Sequence, residues 1–155
     1  MGSEFSFSIP FRPAGSTSGK LKSMIADQSD KPRDWSSKKC LLVDDNRDVL
    51  IYLKRILLDT GINVIMSRSG NEAIETIKNT TDIDVVLLDM QMPGINGIEA
   101  TKEIRKIRKD LPIIAQSAFI FEDDKDIIIE AGCDACLIKP IRKEHLLTVM
   151  SSFLH

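Results

Sequence analysis

Five short apolar runs that alternate with amphipathic segments are the feature that most constrains how this sequence can fold. The runs are Cys40–Val43, Ile62–Met66, Ile83–Leu88, Pro112–Ala115 and Ala135–Ile138. Four of the five are almost entirely apolar, which is typical of strands covered on both faces. Strands joined by helical crossovers pair in parallel, with right-handed connections. The pattern predicts an α/β domain with one open, doubly wound parallel (βα)5 sheet.

The segments between the runs have helical periodicity and helix-boundary residues. The first segment predicts a buried face made of Val49, Leu53, Ile56 and Leu57. Gly61 is expected to end that helix as its C′ residue. Ser69 with Glu72, and Asn96 with Glu99, have the spacing of capping boxes and predict two further helix starts.

Residues 1–37 differ in composition from the rest of the chain. They are rich in Ser, Gly, Pro and Lys and lack sustained periodicity, so they are predicted to be an N-terminal extension and linker. Within residues 5–10, alternating apolar and polar residues stopped by Pro10 predict one strand. An alternative interpretation of Gly2–Phe5 is that they are residues left by cloning. The α/β domain is predicted to occupy residues 38–155.

Charge and composition exclude several classes of partner. With 21 basic and 23 acidic residues and a net charge of -2, the chain gives no electrostatic case for binding nucleic acid or an anionic membrane. No apolar run approaches the roughly 20 residues that span a bilayer, and no signal peptide is recognised. Three cysteines without disulfide-framework spacing favour a reducing, cytoplasmic setting.

Polar residues follow four of the five predicted strands. Asp44 and Asp45 follow the first run, Asp89 the third, Ser117 the fourth and Lys139 the fifth. In an open parallel sheet, ligands bind beyond the carboxyl ends of the strands, near the switch in strand order. Each residue alone has an ordinary explanation, such as a helix start, a turn cap or a surface lysine. Together they predict one site with three carboxylates, a hydroxyl and an ammonium group.

These groups suit phosphoryl chemistry. Clustered carboxylates repel one another, and a hard cation such as Mg²⁺ relieves that repulsion through oxygen ligands. One of the carboxylates can attack phosphorus as a nucleophile, which gives an aspartyl phosphate. Lys139 offers a positive charge to a phosphoryl oxygen, and Ser117 offers a hydrogen bond to another.

Four motifs in order resemble the response-regulator receiver family. They are Leu41–Asn46, Leu87–Gly94, Ser117–Ala118 and Lys139–Pro140, within a resemblance that covers residues 38–155. The resemblance implies a flavodoxin-like sheet with strand order 2-1-3-4-5. It also implies that the Lys139–Pro140 peptide bond is cis.

The resemblance assigns expected roles to the predicted site residues. Asp89 matches the phosphoacceptor, Ser117 the hydroxyl switch residue and Lys139 the family's lysine. The implied Mg²⁺ ligands are Asp44, Asp45, Asp89 and the backbone carbonyl of Gln91. The second aspartate that haloacid-dehalogenase-type phosphatases carry two residues after the nucleophile is Gln91 here, which disfavours that enzyme class.

The expected function is that of a phosphorelay receiver rather than a conventional enzyme. A phosphohistidine of a histidine kinase or phosphotransfer domain would donate to Asp89, and the domain would catalyse only its own phosphorylation and dephosphorylation. Residues 5–10 resemble the closing strand of a kinase ATP-binding domain. This favours the C-terminal receiver of a hybrid sensor kinase, which could be tethered to a membrane. A stand-alone response regulator, a phosphorylation-independent interaction module and a weak homodimer stay open.

Three features depart from the family pattern. Cys136 stands where the family usually has Tyr or Phe, so any switching is predicted to rely on backbone movement of the loop after the fourth run. Gln116 stands where an apolar residue is common. Phe119–Phe121 are expected either to pack under the fourth helix or to form a docking patch. The C-x-x-C pair Cys133 and Cys136 is interpreted as buried thiols rather than a zinc or redox site.

Overall fold

The computed structural model describes residues 33–118 and 122–154, and in this part of the chain strands and helices alternate. The strands are β1 (Lys39–Val43), β2 (Asn63–Ser67), β3 (Val85–Asp89), β4 (Ile113–Ser117) and β5 (Ala135–Ile138). The helices are α1 (Arg47–Leu58), α2 (Gly70–Asn79), α3 (Gly97–Ile107), α4 (Glu122–Ala131) and α5 (Lys143–Ser151). The predictions for residues 5–10, for Phe119–Phe121 and for the loop after β4 lie outside the described residues. Among the described helices, none combines the length and apolarity that a membrane span requires.

The five strands form one parallel sheet in the order β2-β1-β3-β4-β5, which confirms the predicted architecture. Three of the strands, β2, β3 and β4, nevertheless lie one or two residues later than the apolar runs suggest. At the start of β3, for example, Asp84 Oδ2 accepts a hydrogen bond from Lys39 N at 2.7 Å. Asp84 N also donates to Lys39 O at 2.8 Å, and the strand itself begins at Val85 rather than Ile83.

Helices cover both faces of the sheet, as a doubly wound fold requires. On one face, buried residues of α1 and α5 pack against alternate strand residues such as Leu42, Leu87 and Leu137. On the other face, α2, α3 and α4 pack against the intervening residues, such as Val43 and Leu88. This two-sided cover explains why the strands are apolar along nearly their whole length.

The helix boundaries agree only in part with the predictions. Asn96 and Glu99 form a complete capping box at the start of α3. Ser69 caps α2, but the Glu72 carboxylate accepts from Arg68 N instead of Ser69 N. The prediction that Gly61 is the C′ residue of α1 is wrong, because the helix already ends at its cap, Asp59, and Gly61 adopts a φ of 78° one residue beyond the C′ position.

The three cysteines are buried free thiols, as predicted. Burial raises the pKa of Cys133 to about 11 and that of Cys136 to about 12. Both groups are therefore protonated at neutral pH, which makes them poor metal ligands and poor nucleophiles.

Candidate functional site

Three aspartates meet at the carboxyl edge of the sheet. One carboxylate oxygen from each of Asp44, Asp45 and Asp89 lies within 4.8 Å of the others. The sheet order brings them together because β1, which precedes Asp44 and Asp45, is the direct neighbour of β3, which ends in Asp89. The convergence expected from the sequence is therefore present in the structure.

Asp44 is fixed by the start of α1 and by a lysine from the far side of the sheet. Its Oδ1 accepts a hydrogen bond from Asn46 N at 2.8 Å, and Asn46 in turn caps α1 through its side chain. Its Oδ2 accepts from Lys139 Nζ at 3.0 Å. Asp44 is 1% exposed, so this pairing takes place largely out of water.

Asp89 is the last residue of β3 and is also almost fully buried. Its Oδ1 accepts from Gln91 N at 3.1 Å and lies 3.5 Å from Lys139 Nζ. The start of α3 packs directly against the backbone of Asp89 and Met90. A Cβ added at Gly97 would collide with Asp89 O and Met90 Cα. A glycine at residue 97 therefore allows α3 to approach the backbone that carries the aspartate.

The electrostatic environment of Asp89 disfavours its charged form. Burial raises the pKa of the Asp89 carboxyl above its usual range, and the charges of Asp44 and Asp45 act in the same direction. The Gln91 N–H and the Lys139 ammonium lower the pKa and offset only part of the effect. A carboxylate crowded in this way is stabilised by any cation that enters the cluster.

Ser117 and Gln91 lie on a cavity of about 230 Å³ beside the carboxylates. Residues of α3 and α4, including Ile98, Asp124 and Ile128, complete its wall. Ser117 ends β4, and its carbonyl accepts from Lys139 N at 2.8 Å. The cis Lys139–Pro140 bond implied by the resemblance is confirmed. The structure thus brings every predicted site residue to one edge of the sheet.

Arg68 is a rim residue that the sequence reasoning missed. It follows β2, and its Nη2 donates to the backbone carbonyl of Asp45 at 3.4 Å. The available signal was its position, because a basic residue just after the second apolar run must lie at the same edge of the sheet as Asp45.

A family comparison agrees with this geometry. Residues 40–151 match the model of the response regulator receiver domain. The chain belongs to the response regulator receiver domain family. Receivers of this family serve two-component signalling. The site described above is the acidic cluster of this receiver.

Curated relatives of this receiver include parts of sensor kinases and single-domain regulators. The receiver is 35% identical over 129 residues to the autoinducer 2 sensor kinase/phosphatase LuxQ of Vibrio parahaemolyticus, covering 81% of this chain but 15% of that protein. It is 29% identical over 120 residues to the polar-differentiation response regulator DivK of Brucella ovis, covering 76% of this chain and 97% of DivK. The receiver therefore spans only a small share of such kinases but nearly the whole of a single-domain regulator.

Solved structures show the same fold. In a CheX–CheY–BeF3–Mg²⁺ complex from Borrelia burgdorferi, the similar chain is 28% identical with a TM-score of 0.73, covering 80% of this receiver and 97% of that chain. The similarity confirms the flavodoxin-like arrangement of strands and helices.

Proposed function

We propose that this receiver accepts a phosphoryl group from a phosphohistidine onto Asp89, with Mg²⁺ held by the neighbouring carboxylates. The observation that carries the proposal is the position of Lys139 Nζ, 3.0 Å from Asp44 Oδ2 and 3.5 Å from Asp89 Oδ1, inside a cluster of three carboxylates. A nucleophile, an acidic cation site and a fixed positive charge thus share one small volume.

The transfer is a nucleophilic displacement at phosphorus. An Asp89 carboxylate oxygen forms the new O–P bond while the N–P bond of the phosphohistidine breaks, and the imidazole nitrogen keeps that electron pair. Lys139 stabilises negative charge on a phosphoryl oxygen, because its ammonium already lies beside the Asp89 carboxylate. Ser117, on the adjoining cavity, donates a hydrogen bond to a second phosphoryl oxygen.

The residues present fit Mg²⁺ by the chemistry of their donor atoms. Three carboxylates whose oxygens approach within 4.8 Å offer the hard, anionic ligands that this ion takes in proteins. Asp45 is exposed and is open to the solvent from which an ion arrives. The Gln91 carbonyl completes the protein ligands of the proposed site. When bound, Mg²⁺ offsets the negative charge shared by the carboxylates and the phosphoryl group.

The parent protein is proposed to be a hybrid sensor histidine kinase, with residues 1–37 as extension and linker and residues 38–155 as its receiver. Similarity to the receiver part of LuxQ supports this assignment. Similarity to nearly all of DivK supports the alternative of a single-domain response regulator. In either case the proposed donor is the phosphohistidine of a kinase or phosphotransfer domain. The reading frame upstream of residue 1 decides between the two.

Incubation with acetyl phosphate and MgCl₂, followed by intact-mass measurement, tests the proposed function. The parent is expected to gain the mass of one phosphoryl group, and Asp89→Asn is expected to gain none. The matched control is Asp110→Asn, since the Asp110 side chain is 88% exposed and precedes β4 at the opposite edge of the sheet. This control should load as the parent does.

Two results would contradict the proposal. Equal loading of the parent and Asp89→Asn would remove Asp89 from its role as acceptor. Equal loading of the parent with MgCl₂ and with excess EDTA would remove the cation from the reaction.

A further inference from the structure

Gln116 is a buried polar side chain whose hydrogen-bonding groups are not used within the described structure. The residue is 0% exposed, and neither Oε1 nor Nε2 of its carboxamide has a hydrogen-bond partner among the described residues. Its backbone carbonyl, by contrast, accepts from Met90 N at 2.9 Å. Buried amides are nearly always hydrogen-bonded, so an unpartnered one calls for an explanation.

The strand register places Gln116 beside the phosphoryl site. In β4 it lies opposite Asp89 on one side and Leu137 of β5 on the other. Parallel strands are spaced by about 4.8 Å, and laterally paired residues point to the same face of the sheet. Gln116 and Asp89 therefore project to the same face from adjacent strands, within the reach of a glutamine side chain.

The course of Lys139 brings its side chain to the same place. Lys139 follows β5, where its N–H donates to Ser117 O at 2.8 Å. Its Nζ nevertheless lies at Asp44 and Asp89, which belong to the far side of β4 in the sheet order. The lysine side chain must therefore cross the carboxyl end of β4, the strand end that carries Gln116.

We infer that Gln116 is a positioning residue for Lys139: its carboxamide oxygen accepts a hydrogen bond from the Lys139 ammonium when a cation occupies the carboxylates. This inference rests on the proposed function. An ammonium has three N–H donors, and here two carboxylates lie within reach of it. Once Asp44 turns its oxygens to a cation, that pairing weakens and the ammonium needs another acceptor.

A carboxamide suits this task better than the alternatives at residue 116. A neutral oxygen accepts from an ammonium without adding a further negative charge to the three carboxylates already present. An apolar side chain would fill the same space but would offer Lys139 no acceptor from β4. The buried amide is thus explained as a hydrogen-bond acceptor that is used only in the cation-bound state of the site.

Lysine NMR without any phosphoryl group gives the first test. In protein labelled with ¹³Cε-lysine, the Lys139 signal is assigned by its loss in Lys139→Arg and is followed during titration with MgCl₂ at fixed pH. The expected result is a different Mg²⁺-saturated Lys139 shift in Gln116→Met, an unbranched apolar replacement of similar length. Lys143, whose Nζ pairs with Asp59 at 3.2 Å, is the internal control and should not differ.

A double-mutant cycle on loading from acetyl phosphate gives the second test. Gln116→Met is expected to slow loading about fivefold, the rate equivalent of one ordinary hydrogen bond. In a Lys139→Met background the same change is expected to alter the rate by less than about twofold, because its partner is gone. A purely structural residue would give the same factor in both backgrounds.

The outcomes separate failure of this inference from failure of the proposed function. If the parent binds Mg²⁺ and loads, but Gln116→Met matches it in both Lys139 shift and rate, Gln116 has no positioning role and the proposed function stands. If Lys139 of the parent shows no response to Mg²⁺, the cation site fails and the inference fails with it. Gln116→Leu repeats both measurements with another apolar shape, so a folding defect in one variant leaves the test intact.

Discussion

At the scale of single residues, the buried carboxylates that suit the site to phosphoryl chemistry also lower the free energy of unfolding. Asp89 is 3% exposed and shares its surroundings with two other aspartates, and burial raises the pKa of its carboxyl. Because the folded-state pKa exceeds the unfolded one, the folded chain binds more protons between the two values. The contribution of Asp89 to the free energy of unfolding therefore falls as the pH rises through that window.

Asp89→Asn should consequently stabilise the metal-free protein. Urea denaturation in EDTA at pH 7 is expected to show a free energy of unfolding higher by about 1 kcal/mol, the scale of single stabilising substitutions. The advantage over the parent should shrink as the pH falls, and it should vanish below the unfolded carboxyl pKa of about 3.9, where Asp89 is protonated in both the folded and the unfolded state. A variant that is less stable than the parent at pH 7 would show that the pairing with Lys139 outweighs the burial of the charge.

At the scale of secondary-structure elements, a buried ion pair joins α3 to the amino edge of the sheet. Arg105 Nη2 donates to Asp134 Oδ2 at 2.7 Å and to Gly132 O at 2.6 Å, while Nη1 donates to Leu111 O at 2.5 Å. Asp134 Oδ2 also accepts from Ile113 N at 3.0 Å. One guanidinium group therefore ties the end of α3 to the segments that lead into β4 and β5.

Arg105→Met should destabilise the fold strongly. The Asp134 side chain is 3% exposed, so the substitution leaves a buried carboxylate without its cation, a loss of about 3–5 kcal/mol. Lys106→Met is the matched control, because the adjacent Lys106 pairs with Glu103 in water and such pairs contribute about 0.5 kcal/mol. Urea denaturation of both variants measures the difference, and equal small losses would show that the buried Asp134 carboxylate does not depend on Arg105.

The sequence predicts elements and strand ends better than it predicts side-chain bonds. The strands and the acidic cluster were predictable because apolar runs and the polar residues after them are local patterns, whereas the strand order followed only from the resemblance to the receiver family. The Arg105–Asp134 pair was not, since its partners lie 29 residues apart and neither belongs to a motif. Gln116 stood out only as a departure from the family pattern, and only the register beside Asp89 revealed its relation to the site.

At the scale of the whole molecule, the two edges of the sheet have different tasks. The carboxyl edge gathers Asp44, Asp45 and Asp89, whose mutual repulsion weakens the fold there. The amino edge holds the Arg105 network, where hydrogen bonds and opposite charges stabilise it. A ligand that neutralises the carboxyl edge should therefore raise the stability of the entire domain, since small domains unfold as one cooperative unit.

Mg²⁺ is that ligand under the proposed function, and its effect on stability is measurable without phosphorylation. Binding to the folded state alone should raise the free energy of unfolding by about 2.7 kcal/mol when free Mg²⁺ reaches a hundred times its dissociation constant. Thermal denaturation in increasing MgCl₂ should show a rising midpoint that EDTA abolishes. Asp45→Asn should remove most of the rise while leaving the metal-free fold intact, because Asp45 is exposed, and Asp110→Asn should keep it. A rise that persists in Asp45→Asn would show that the ion binds at another place on the protein. The reason is that the three carboxylates can relieve their repulsion through a shared cation only if all three face it.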